Sequence, residues 1–447
     1  MKRKFLKYVI PSVLAMWIYS LYTLINGIFV AKGVGEIALA AVNISMPYVN
    51  ATFAVAILFA IGTSTIASIN LGNKEVKEAS QIFTMNMVLL ISISLTITAA
   101  MFLNLENIGY FLGATDKTIG YVKDYLGIIS LFGVFSMISY YFEVLVKTDG
   151  YPHLATIVVI ITAFTNIFLD YLFVLKLGYG IKGAAFATGI SQVIACAVYV
   201  LHFIKSDSKI RFVRFKFEFL LLKRTIPIGI SDFVTEFSTG FIIFMFNRII
   251  LKNIGEIGII TYTVIMYVNT IVLMTMAGIS QGTQPLVSFY YGRNDKKAYS
   301  YFLMAAVKTV AILSLGIYVV SMLFAEQING IFISRENVEL FSYSVKAFRM
   351  YVPAYLIVGF NIVFVGFYSA IQKPLYSMII STGRGLVVIV GSLIVMTSLF
   401  GESGIWLSSF VSEILCLIIG SIIFIKFFFN DLFVDVKVHN TVAETYK

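Results

Sequence analysis

Apolar runs of about twenty residues recur from one end of this chain to the other, each long enough to cross a ~30 Å hydrocarbon core as a helix. Few folds accept such a pattern. In lipid only helices and closed barrels satisfy the backbone, and these runs are too long and too continuously apolar for barrel strands. Charged residues make up only 13% of the 447, with 59% hydrophobic, against about 25% charged in soluble domains. The sequence therefore predicts an all-α polytopic membrane protein. Its twelve spans lie near 9–31, 39–70, 82–104, 122–148, 154–176, 183–205, 226–251, 258–289, 299–325, 345–372, 375–400 and 404–428.

The net charge is +10, but its distribution argues against nucleic acid. With both termini on one side, the loops on that side hold most of the Lys and Arg: the basic N-terminus, Lys74, Lys77, the cluster from Lys205 to Arg224, Arg293, Lys296, Lys297 and Lys373. Opposite loops hold few, such as Lys32, Lys117, Lys182 and Lys252. Basic loops stay in the cytoplasm, so both termini are expected there, in a plasma-membrane protein. The basic start resembles a signal peptide, yet its apolar stretch runs past Val30 with no cleavage site and reads as a retained first helix. Cys196 and Cys416 fall inside apolar runs as packing residues, and His153, His202 and His439 are scattered, which suits neither a disulfide framework nor a metal site.

The two halves match each other faintly at offsets of 219 to 224 residues. Gly35-Glu36 aligns with Gly255-Glu256, Met46-Pro47-Tyr48-Val49-Asn50 with Met266-Tyr267-Val268-Asn269, Gly72 with Gly292, Pro152 with Pro374, and Gly180-Ile181 with Gly404-Ile405. Each half holds an even number of helices, so both enter the membrane in the same direction. They are expected as two six-helix lobes related by a pseudo-two-fold axis along the membrane normal, with a cavity between them. The expected division is an N-lobe over 1–205, a linker over 206–222, a C-lobe over 223–428 and a cytoplasmic tail over 429–447.

Several segments are similar to the multidrug and toxic compound extrusion (MATE) family, and the likeness covers essentially the whole chain. They include Tyr22-x-x-x-Asn26-Gly27-Ile28-Phe29-Val30-Ala31, Asn166-Ile167-Phe168-Leu169-Asp170, and Gly180-Ile181-Lys182-Gly183-Ala184-Ala185-Phe186-Ala187-Thr188. Gly278-Ile279-Ser280-Gln281-Gly282-Thr283-Gln284-Pro285 and Gly404-Ile405-Trp406 follow in order. The tone is nearest the prokaryotic branch. The resemblance implies a secondary antiporter, not an enzyme, in which an acidic site of the first lobe couples export to inward flow of protons or sodium. That pattern falls on Tyr22, Asn166, Asp170 and Thr188. It departs at Asn26, where an aspartate is usual, and in the tenth helix, where Gly359-Phe360-Asn361 carries no acid.

Depth arithmetic supports one site on independent grounds. At 1.5 Å per residue Asp170 lies ~25 Å up a helix starting near 154. Asn26 reaches a similar height, and Thr188 lies a few residues down from the far face. Asn166 and Asp170 are spaced i, i+4, as are Thr188 and Gln192, so each pair shares a face. A carboxylate at that depth is costly unless paired, protonated or ion-bound, whether the ion is a proton or a sodium held at Asp170. The alternative is an acid that merely bonds its neighbours. In the second lobe Asp232 and Glu236 are i, i+4, and Arg384 and Glu413 sit near mid-depth. An ion pair of Arg384 with Glu413 or with Glu236 is one reading; Glu236 facing a cavity that attracts cations is the other. The substrate cavity is expected to draw on Glu236, Asp232, Gln192 and Gln281. Its Phe, Tyr and Met residues suit flat lipophilic cations. Pro11 and Pro227, at matching places in the lobes, permit bends.

No Walker A sequence or HExxH appears, and the one GxSxG match, Gly278-Ile279-Ser280-Gln281-Gly282, lies inside an apolar span and not on a strand-to-helix turn, so neither an ATP-driven pump nor a membrane hydrolase is supported. The expected protein is a monomer in the bilayer that exports lipophilic, cationic small molecules. It needs no cofactor beyond a coupling ion and has no nucleic-acid partner. A flippase for lipid-linked oligosaccharides is the competing reading.

Overall fold

The computed structural model describes residues 1–205 and 207–445, with side chains through Lys426 apart from those of Leu24 and Glu36. Ser206, at the head of the expected linker, and Tyr446 and Lys447, in the expected tail, lie outside the described residues, as do the tail's side chains. The described chain is helical throughout its spans, which are joined by short turns and by a non-helical segment over 207–218. The first lobe contains α1 (Lys2–Gly33), α2 (Glu36–Gly72), α3 (Val76–Leu103), the short α4 (Leu105–Phe111), α5 (Ile119–Leu131), α6 (Gly133–Asp149), α7 (Pro152–Asp170) and α8 (Gly180–Ile204). The second contains α9 (Phe219–Asn253), α10 (Glu256–Gly292), α11 (Lys296–Leu323), the short α12 (Ala325–Gly330), α13 (Val338–Tyr351), α14 (Val358–Ala370), α15 (Pro374–Thr382) and α16 (Val388–Thr445).

Among the described residues ten segments are long and apolar enough to span a bilayer, and the pair α5 and α6, bent by 51°, makes an eleventh. Gly401, at φ 56°, interrupts α16 and divides the last segment in two, which gives the twelve spans that hydropathy predicts. Hydropathy did not foresee the breaks within spans. The fourth span bends at Phe132, the tenth passes through a 3₁₀ turn at Val352–Leu356, and the fifth and eleventh widen into π-turns at Tyr171–Lys176 and Gly383–Val387. Pro11 and Pro227, by contrast, lie inside the continuous helices α1 and α9, so neither residue interrupts its helix. The seventh span also starts at Phe219, earlier than the linker boundary at 222 suggests.

The lobes repeat each other closely. α1 packs on α7, α2 on α6, and α6 on α8; α9 packs on α15, α10 on α14, and α14 on α16 in the same way. The short α4 and α12 each carry a glutamate in the first turn. Glu106 pairs with Lys123 at 2.7 Å and Glu326 with Arg349 at 3.4 Å, a repeated pair that the sequence comparison overlooked. Both pairs are exposed and contribute little stability.

Between lobes, α2 packs on α9, α1 on α10, and α2 on α10. The first two contacts exchange under the two-fold, and the third straddles it. A Cβ on Gly72 would meet the carbonyl oxygen of Phe289, and one on Gly292 would meet that of Ile69, a reciprocal contact of two backbones. Because α2 and α10 run the same way across the membrane, the axis relating them lies along the membrane normal. Lipid gives helices no hydrophobic reason to associate, so close backbone approach at small residues is what holds such a seam. Gly282 admits α1 against α10 and Gly229 admits α9 against α2 by the same means. Polar links cross the seam at Lys4 to Tyr290 (3.3 Å), Asn86 to Thr225 (3.1 Å) and Trp17 to Thr275 (2.8 Å). These contacts lie between mid-depth and the end that carries the N-terminus.

Gly72→Val and Gly292→Val should each lower the melting temperature, because overpacking a tight contact costs about 1–3 kcal/mol. Gly316→Ala, where an added Cβ meets nothing within 4 Å, should be neutral or slightly stabilising. Thermal unfolding in detergent checks both; an unchanged Gly292→Val would show that the seam is not tight.

Candidate functional sites: a first-lobe acid centre and a second-lobe cavity

Pro152 opens α7 at its first turn, where the missing N–H costs nothing, and the helix then climbs 18 residues to Asp170 before the π-turn begins. A π-turn inserts an extra residue into the ladder and often marks a functional position. Here it follows the buried acid directly. Asp170 is 0% exposed and Asn166, one turn below it, 1%.

Three helices meet at these residues. Asn26 of α1 donates from Nδ2 to Thr188 Oγ1 of α8 at 3.3 Å. The amide of Asn166 satisfies both its neighbours when its oxygen accepts from Thr188 Oγ1 at 3.3 Å and its nitrogen donates to Asp170 Oδ2 at 3.1 Å. The result is one directional chain, Asn26 to Thr188 to Asn166 to Asp170, in which every donor has an acceptor. It ends at Asp170 Oδ2; the other carboxylate oxygen, Oδ1, is buried and has no hydrogen-bond partner among the described residues. A carboxylate oxygen left open in this way has the chemistry to accept a proton or a monovalent cation.

Tyr22 stands outside this chain. Its ring packs edge-on against Tyr19 at 5.1 Å, Tyr19 stacks on Phe53 at 6.3 Å, and Phe53 meets Tyr140 at 4.7 Å. This aromatic row leads from the neighbourhood of Asn26 to a cavity of about 380 Å³.

That cavity belongs mainly to the second lobe. Asp232 and Glu236 of α9, Gln281 of α10, Arg384 of the π-turn and Glu413 of α16 line it, with Tyr140, Ile57 and Ile61 from the first lobe. Gln281 Nε2 approaches Tyr140 Oη at 3.5 Å across the seam. Gln192, expected in the cavity, does not line it: on α8 it stays within the first lobe, because the cavity draws on first-lobe helices α2 and α6 only. Arg384 pairs with Glu413, its Nε donating to Oε1 at 2.9 Å and to Oε2 at 3.1 Å. Asn361 completes the arrangement by donating from Nδ2 to Glu413 Oε2 at 2.7 Å and to the Glu413 carbonyl at 2.9 Å. The pairing of Arg384 with Glu236 is not formed. Tyr140 and Asn361 were missed as site residues. The only signal for Asn361 was a lone amide in an apolar span, which fixes no partner.

Removing one member of the buried pair strands the other, at a cost of about 3–5 kcal/mol. Glu413→Gln and Arg384→Gln should each lower stability by that order, and the double variant should lose less than the sum. A double-mutant cycle on thermal unfolding measures the coupling; additive losses would mean the pair contributes nothing.

A family model, MatE, matches residues 11–172 and 230–394, one block in each lobe. Among curated proteins, the multidrug export protein MepA of Staphylococcus saprophyticus is 22% identical over 418 residues, covering 93% of this chain and 91% of that protein. MepA of Staphylococcus aureus is 23% identical over 424 residues, with the same coverage. Among solved structures, a MATE in complex with MaL6 superposes with a TM-score of 0.89 at 21% identity, covering 94% of both chains. A multidrug resistance MATE family transporter of the MOP superfamily in its outward-facing conformation gives 0.88 at 21%, again over 94% of both. A MOP superfamily transporter from Pyrococcus furiosus, described by the reverse polarity of its binding pocket, gives 0.87 at 22% over 94% of both. At these identities the structural likeness is one of fold. The family match, which spans more than half of the sequence, goes further: this multi-pass membrane protein belongs to the MatE family, whose members are transporters and not enzymes.

Proposed function

We propose that the chain is a multidrug efflux antiporter, exporting lipophilic cations by alternating access in exchange for protons or sodium ions. The observation that carries this reading is the open, buried oxygen of Asp170 at the end of a hydrogen-bonded chain from α1 through α8 to α7. An uncompensated charge at that depth is stable only when something binds it, which gives the gradient a place to act. The curated relatives named as multidrug export proteins support the same function.

The N-lobe over 1–205 and the C-lobe over 223–428, joined by the segment 206–222, are the two bodies proposed to rock against each other. With basic loops inward, the tail over 429–447 and the N-terminus face the cytoplasm. The seam is then sealed on the cytoplasmic side, which leaves the cavity facing outward. Pro11 and Pro227 sit in the two helices proposed to bend. The engagement of Arg384 by Glu413 weighs against a flippase of lipid-linked oligosaccharides, since it leaves the cavity no free cation for a pyrophosphate among the described residues. A monomer suffices, because both lobes of the seam come from one chain.

Asp170→Asn should leave a folded protein in the membrane but abolish efflux of a fluorescent cation from vesicles under either a proton or a sodium gradient. Retained uphill efflux at normal expression would refute the role of Asp170. Asn26→Asp should place a second acid beside Thr188 and shift the pH or sodium dependence of transport. Identical profiles for variant and wild type would remove Asn26 from the site.

A further inference from the structure

The second-lobe cavity carries negative charge that no neighbouring side chain balances. Its four charged lining residues are Asp232, Glu236, Arg384 and Glu413. Arg384 and Glu413 neutralise each other at 2.9 Å. One turn from the lining residue Tyr140, Glu143 and Lys147 of α6 do the same at 2.9 Å. Among the described residues no basic side chain pairs with Asp232 or Glu236; Asp232 Oδ2 meets only the hydroxyl of Ser231 at 3.4 Å. Spaced i, i+4 on α9, the two carboxylates lie on one face, with their Cβ atoms ~6 Å apart.

A second observation marks the cavity as built for a ligand. Tyr355 lines it and is 1% exposed, yet its hydroxyl has no hydrogen-bond partner among the described residues. Buried polar atoms are normally satisfied, and an open one in a cavity wall signals an absent partner. Tyrosine faces and Tyr hydroxyls around two unbalanced carboxylates suit cationic centres, through ring faces and charge-assisted contacts together.

We infer that the cavity selects compounds with two cationic centres about one helical turn apart over singly charged analogues, Asp232 and Glu236 each meeting one centre. The inference rests on the proposed export of lipophilic cations and specifies its substrate class. A singly charged ligand leaves one carboxylate desolvated and unpaired, whereas a doubly charged one satisfies both. Specificity then comes from a difference in what is left unpaired, not from the strength of either contact alone. The pocket's volume of about 380 Å³ is within the usual range for one drug-sized ligand.

The test compares para-xylylene-bis(trimethylammonium) with para-methylbenzyltrimethylammonium, which share a ring and differ by one cationic centre. Binding to the purified full chain is measured by calorimetry. The dication should bind roughly tenfold tighter or better, the scale of one further coulombic contact between a quaternary ammonium and a carboxylate. Asp232→Asn and Glu236→Gln should each bring the ratio of the two affinities close to one. Because the ratio is read within one preparation, partial misfolding of a variant cancels. Equal affinities in the wild type, or a ratio that neither variant moves, would overturn the inference while leaving cation export intact. A wild type that binds neither compound would overturn the cation-export reading itself.

Discussion

Where α2 crosses α10, the backbone carbonyl of each helix faces the bare α-carbon of the other, and the arrangement of both lobes follows from that contact. Gly72 lies against Phe289 and Gly292 against Ile69, so a side chain at either glycine would drive the backbones apart. The contact is its own image under the two-fold, which fixes the axis and the relative register of the lobes together. Once α2 and α10 are pinned, α1 is laid along α10 and α9 along α2, and the remaining spans pack around these four. Residues 59–71 of α2 are buried almost without exception.

Much of this architecture is legible in the sequence because lipid imposes it. Span length, span number and the repeat follow from hydropathy and from glycines and prolines at equal offsets. Gly72 and Gly292 stood out in the sequence as an aligned pair, although only the structure shows that they touch each other's helices. The breaks inside spans were not legible. Phe132, the π-turn at Tyr171–Lys176 and that at Gly383–Val387 sit in sequence as apolar as their surroundings, and a window that averages hydropathy passes over them. The meeting of Asn26, Asn166, Asp170 and Thr188 could be expected from depth and spacing, but their donor and acceptor order could not. Arg384 had two candidate acids at similar depth, and rotation about the helix axes, which depth does not report, chose Glu413. Gln192 failed as a cavity residue for the same kind of reason, since sharing a face with Thr188 commits it to the first lobe.

The two lobes have kept one scaffold and separated its chemistry. Each has a span that ends an α-helical stretch and widens into a π-turn, α7 after Asp170 and α15 before Arg384. In the first lobe the turn follows an acid with an oxygen left open. In the second it carries a base closed by Glu413 and Asn361. A closed pair in low dielectric is reluctant to exchange its proton or admit an ion, because either step would strand a charge. The closed pair is thereby set apart from the open acid of the first lobe, and the cavity's unpaired acids are Asp232 and Glu236.

If ion and substrate are held in different lobes, something must connect them, and α1 is the element that runs from the acid centre to the seam. Its outer end supplies Asn26 to the acid centre, and two turns of the same helix supply Tyr22 and Tyr19 to the aromatic row that ends at Tyr140. Trp17 bonds Thr275 across the lobes, the carbonyl of Pro11 accepts from Thr156 of α7, and Lys4 sits over the rings of Phe289 and Tyr290 at the seam. Coupling over such distances needs a rigid element with two arrangements that both sites can bias. A helix bonded to the ion site at one end and wedged in the seam at the other has that form. In the proposed mechanism a proton or cation arriving at Asp170 would change the partner of Asn166, hence of Thr188 and Asn26, and so alter the hold on the outer end of α1. The inner end answers at the contacts of Lys4 and Gly282, which must part before the cavity can face the other side. On this argument the proline in α1 matters less as a kink than as a place where the helix yields between its two anchors, with Thr156 as the bond that decides when.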